Sequence, residues 1–123
     1  MSEPTRPPGK TTIAPNVLLT IARLAALDIE GVSLMSHLPG GVNRIFERGY
    51  EEGVRIRIED DQVYADLYVI LKNNLNVREV SRNVQTAVSR AISEMVGMEV
   101  GRVNVHIEDI HYPGDVPAEA ELE

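Results

Sequence analysis

Residues 54–71 read VRIRIEDDQVYADLYVIL, and this stretch decides the fold. Val54, Ile56 and Ile58 alternate with Arg55, Arg57 and Glu59. After Asp60-Asp61, a second run places Val63, Ala65, Leu67, Val69 and Leu71 in alternation with Tyr64, Asp66 and Tyr68. Successive side chains of a pleated strand point to opposite faces, so each run has one apolar and one polar face. Two such runs joined by a short acidic turn predict a β-hairpin. The apolar face of that hairpin must be covered by another layer.

The flanking sequence offers the cover. Upstream, Val17, Leu18, Ile21, Ala22, Leu24 and Ala25 recur at helical spacing behind Pro15. Proline suits a first helical turn, where its missing N–H breaks no hydrogen bond. That helix should stop near Glu30-Gly31. Downstream of Lys72-Asn73-Asn74, residues 76–96 predict a long helix capped by Asn76. Val77, Val80, Val84, Ala87, Val88, Ala91, Ile92, Met95 and Val96 form its apolar stripe, and Gly97 closes it. A last strand alternates Val103, Val105 and Ile107 with Arg102, Asn104, His106 and Glu108.

Two short strands are expected besides these, at Thr11-Thr12-Ile13 and at Val32 to Met35. Residues 36–53 are irregular, with breaks at Pro39-Gly40-Gly41 and two helical turns over residues 42–48. The predicted order is β-α-β-(short helix)-β-β-α-β. The fold class is α+β: two layers, with two main helices packed on one face of a small mixed β-sheet. Residues 1–10, with three prolines, predict a disordered leader, and residues 113–123 an acidic disordered tail. Residues 11–112 form the single folded domain between them.

Composition narrows the function. With no cysteine, disulfides, thiolate metal ligands and a Cys nucleophile are all excluded. One Phe, four Tyr and no Trp leave an aliphatic core. No stretch reaches the ~20 apolar residues of a membrane-crossing helix, and no apolar signal segment opens the chain. A cytoplasmic location is expected. The net charge of −7 includes Asp115, Glu119, Glu121 and Glu123 in a tail with no base. The body is also acidic, which argues against a phosphate-backbone partner.

Candidate chemistry is sparse. His106, Glu108 and His111 cluster in sequence, but a metal site needs three or four converging ligands and nothing nearby supplies the rest. His37 precedes a turn. Gly40-Gly41 lacks the pattern of a phosphate loop. The acid pairs Glu51-Glu52 and Asp60-Asp61 flank turns and point apart. No catalytic residue, metal or cofactor is predicted. The informative surface is the polar sheet face, with Arg55, Arg57, Tyr64, Asp66, Tyr68, Asn104 and His106. Arg and Tyr are favoured in protein interfaces, and the same mixture could stack on single-stranded RNA. Arg78, Arg82 and Arg90 make only a broken basic row on the long helix, better read as a solvated face.

Three stretches, in this order and spacing, resemble the bacterial alkaline-shock (envelope stress response) family. They are Thr12-Ile13-Ala14-Pro15-Asn16-Val17 through Glu30-Gly31-Val32, then Ala65-Asp66-Leu67-Tyr68-Val69-Ile70, then Val77-Arg78-Glu79-Val80 through Val103-Asn104-Val105-His106-Ile107. The departures, Lys72-Asn73-Asn74, Val96-Gly97 and Asp109, fall at turns. The resemblance implies a non-enzymatic stress-response protein with no catalytic motif. It further implies a homo-oligomer or scaffold subunit, held at the inner face of the cell membrane by a membrane-anchored partner. The polar sheet face and the loop over residues 36–53 would make its contacts. The rival reading is a small RNA-binding module using Arg55, Arg57, Tyr64 and Tyr68.

Overall fold

The computed structural model describes residues 8–37, 50–51 and 53–112. Helix α1 (Pro15–Leu27) opens with proline in its first turn, behind an extended Ala14. Strand β1 (Val32–Met35) follows. A two-residue strand β2 (Tyr50–Glu51) precedes the predicted hairpin, β3 (Val54–Glu59) and β4 (Gln62–Lys72). Helix α2 (Val77–Val96) and the long strand β5 (Glu99–His111) complete the order.

The hairpin turns on Asp60 and Asp61, both at positive φ (52° and 65°), with Glu59 facing Gln62. Two central residues in the left-handed region match the right-handed twist of the strands they join. Asn76 caps α2 as expected, its side-chain oxygen accepting from the Glu79 N–H at 3.0 Å.

β4 is the centre of the sheet. One edge pairs with β5 in parallel along its whole length. The other edge pairs antiparallel with β3 over its first half and with β1 over its last residues. β2 lies outside β3. The exchange of partners happens at Tyr68, whose N–H donates to the Gly53 carbonyl at 2.8 Å while its own carbonyl accepts from Ser36 N–H at 2.7 Å. β4, α2 and β5 form a β-α-β unit, and the parallel pair makes the sheet mixed.

The core is aliphatic and lies between this sheet and the two helices. Leu18, Leu19, Ala22 and Ala26 of α1 meet Val80, Val84, Val88 and Ile92 of α2 over Val54, Val63, Leu67, Val69 and Leu71 of the sheet. The two-layer α+β architecture of the sequence reading is therefore the one found.

Three details differ or fall outside. Residues 11–14 form no strand. They are exposed, and no described strand lies beside them to take up their hydrogen bonds. Met95, expected on the apolar stripe, is 71% exposed, and Leu24 of α1 is 54% exposed. Each apolar stripe is wider than the face its helix buries. The helix expected over residues 42–48, the tail over residues 113–123, and most of the leader and of the loop over residues 36–53 lie outside the described residues.

Candidate functional site

The face of the sheet turned away from the helices gathers all seven residues singled out from sequence. Sheet register explains why. Arg55 faces Asp66 and Arg57 faces Tyr64 across the hairpin. Asp66 faces Asn104, and Tyr68 faces His106, across the parallel pair. Alternation puts all of them on the side opposite Val54, Val63, Leu67 and Val103.

Asp66 is the hub. Its Oδ1 lies 3.1 Å from His106 Nε2 and accepts from Asn104 Nδ2 at 3.1 Å. Its Oδ2 accepts from Arg55 Nη2 at 3.5 Å. The Asp66 side chain is only 14% exposed. Burial by itself would raise its pKa, but the hydrogen bonds from His106 and Asn104 and the nearby Arg55 charge outweigh it. The carboxyl is held below its usual value and stays ionised.

Around the hub, two aromatic contacts set the surface. His106 stacks on the Tyr68 ring with centroids 4.4 Å apart and planes 12° from parallel. The Arg57 guanidinium lies 4.9 Å from the centroid of the Tyr64 ring and also pairs with Glu59 at 2.9 Å. Tyr68 is buried although it belongs to the polar face.

Several members of this face escaped the sequence reading. Tyr64 OH donates to Gln62, which donates in turn to Glu99. Gly101, an extra residue in β5 where the register with β4 shifts, leaves room for the Tyr64 ring. A Cβ there would lie 2.6 Å from Tyr64 Cε1. A lone glycine inside an alternating strand is the available signal for such close approach. Ser33 Oγ and His111 Nδ1, 2.7 Å apart, join β1 and β5 at the far end of β4. No sequence signal connects residues so distant.

His106 and His111 thus have separate partners, and the His106–Glu108–His111 cluster does not converge. Among the described residues, no three His, Asp or Glu side chains are placed to hold a metal ion. No described helix is long and apolar enough to cross a membrane.

These features define a class: a small two-layer α+β domain with a covered apolar sheet face and an open face organised by a partly buried carboxylate. Residues 3–112 match the model of the alkaline shock protein family, described as having a cell envelope-related function, and the chain belongs to that family. It is 33% identical over 103 residues to Spy1535 of Streptococcus pyogenes, covering 83% of this chain and 79% of that protein. It is 28% identical over 106 residues to YloU of Bacillus subtilis, covering 83% and 88% respectively. Among solved structures it is similar to the MamM CTD in a copper form, with a TM-score of 0.56, 18% identity, and 83% and 91% of the two chains covered. At that identity the likeness concerns the fold alone.

Proposed function

We propose that this chain is a non-enzymatic subunit of a cell-envelope-related assembly. It works by binding copies of itself and a membrane-anchored partner at the cytoplasmic face. One observation carries the reading: an ordered open sheet face on which Asp66 fixes Arg55, Asn104 and His106. Side chains already held by their neighbours lose little entropy on binding, so such a face is prepared for a partner. Family membership supports the envelope setting.

RNA binding is the weaker reading. Tyr68 is buried against His106, and Arg57 occupies one face of Tyr64, so Tyr68 offers no free ring face for a base and Tyr64 at most one. The acidic net charge points the same way.

Affinity purification from native cells, with soluble and membrane fractions compared, tests this. The wild-type chain should retain a membrane protein, and His106→Ala combined with Arg57→Ala should lose most of it. Retention of RNA instead, released at moderate salt, would overturn the proposal. So would equal capture by the doubly substituted chain.

A further inference from the structure

Among the described strands, β5 lies at an edge of the sheet. Its inner edge is fully paired with β4, and no described strand lies along its outer edge. Gln85 of α2 reveals the direction of its backbone, because Gln85 Nε2 donates to the Val103 carbonyl at 3.1 Å. That carbonyl therefore points away from β4. Alternation turns the N–H and C=O groups of Val105 and Ile107 the same way. An unpaired row of this kind is a template for another strand. A shallow cleft of about 610 Å³ lies between α2 and the first half of β5, bounded by Gln85, Ser89 and residues 100–103.

We infer that this outer edge pairs antiparallel with the β5 of a second copy, about a twofold axis at Val105, joining two sheets into one. The inference rests on the reading of the chain as a self-associating subunit. Three independent properties of the strand select this partner and this register. First, Val105 is the midpoint of Glu99–His111, so the register pairs the strand over its whole length. Second, it sets odd residues against odd residues, keeping Val103 and Ile107 on the core side of both sheets. A slip by one residue would oppose core and solvent faces. Third, it sets charge against counter-charge. Arg102 meets Glu108 of the second copy, while Val100 meets Ile110 and Val103 meets Ile107.

Within one chain neither Arg102 nor Glu108 has an ion-pair partner among the described residues. A slip by two residues in either direction leaves Arg102 opposite His106 or Ile110. Two bulges, at Gly101 and Glu108, bound the regular run of the strand, which lies between them and contains the proposed axis. Val105 and Ile107, only half-buried in one chain, would complete their burial against the second. Gln85 is exposed and can release the Val103 carbonyl to the incoming N–H of Ile107. The pairing brings Asn104 of each copy beside His106 of the other, so two Asp66-centred clusters become one continuous face.

Sedimentation equilibrium on the full chain tests the pairing by charge exchange. Arg102→Glu alone sets acid against acid, and Glu108→Arg alone sets base against base. Each should weaken self-association at least tenfold. An equimolar mixture of the two single variants should regain wild-type affinity, because every facing pair is again opposite in charge. That recovery also shows that both variants fold. Amide exchange should slow at Val103, Val105 and Ile107 as the wild-type chain associates. Wild-type association without rescue in the mixture, or without protection at those amides, would overturn this interface and leave self-assembly through another surface standing. A wild-type chain that stays monomeric at every concentration would sink both the interface and self-assembly.

Discussion

Asp66 ties β3, β4 and β5 together on the open face, through Arg55, its own backbone strand, and Asn104 with His106. Hydrogen bonds to a charged acceptor are stronger than neutral ones, and a partly buried acceptor leaves three donors unsatisfied when lost. Asp66→Asn should cost about 1–2 kcal/mol near neutral pH, read by urea unfolding. The sign with pH follows from the depressed pKa of this carboxyl. A group whose pKa is lowered by folding stabilises the fold above its unfolded value. That contribution is lost as pH falls through the folded value. Wild-type and Asp66→Asn stabilities should therefore converge in acid, below the ordinary carboxylate range. A gap that stays constant with pH would mean the charge of Asp66 is not what the face uses. The charged or titratable groups facing it are Arg55 from β3 and His106 from β5.

Among the elements, the exchange at the centre of the sheet is the most constrained. β3 and β1 share one edge of β4 end to end, and Gly53 stands at the join with φ near +82°. A Cβ there would lie 2.4 Å from the Ser36 carbonyl oxygen and 2.9 Å from that of Tyr68. Both obstacles are backbone and cannot rotate aside. Gly53→Ala should destabilise by roughly 2–3 kcal/mol from strain and displacement of the ladder. Thermal unfolding measures it, and a neutral result would mean that β1 and β3 are not held together through this join. The hairpin and α2 were legible from sequence because their signals are local: strict alternation, an acidic two-residue turn, a capping Asn76. The supposed strand at residues 11–13 was misread because β-type composition says nothing about whether a partner strand lies within reach.

At the scale of the whole molecule the two faces of the sheet divide the labour between stability and recognition. Val84→Asp, which places a carboxylate in the aliphatic core, should cost about 4 kcal/mol or more and abolish folding. Arg57→Ala with Tyr64→Ser, on the open face, should change stability by less than about 1 kcal/mol. Circular dichroism during urea titration separates the two, and a large loss from the face variant would make that face structural. By itself, the sequence determined the layers, the helices, the hairpin and the membership of the polar face. Each depends on periodicity within a single segment, and periodicity assigns residues to faces without further information. Only the tertiary structure decided that β4 lies at the centre, that β5 runs parallel to it, and that Asp66 is the residue its neighbours converge on. It alone joined Ser33 to His111, and it alone left the outer edge of β5 without a neighbour among the described strands. Those outcomes depend on which strands become neighbours and in what register, and that is settled by packing two helices over one shared apolar surface rather than by any local pattern.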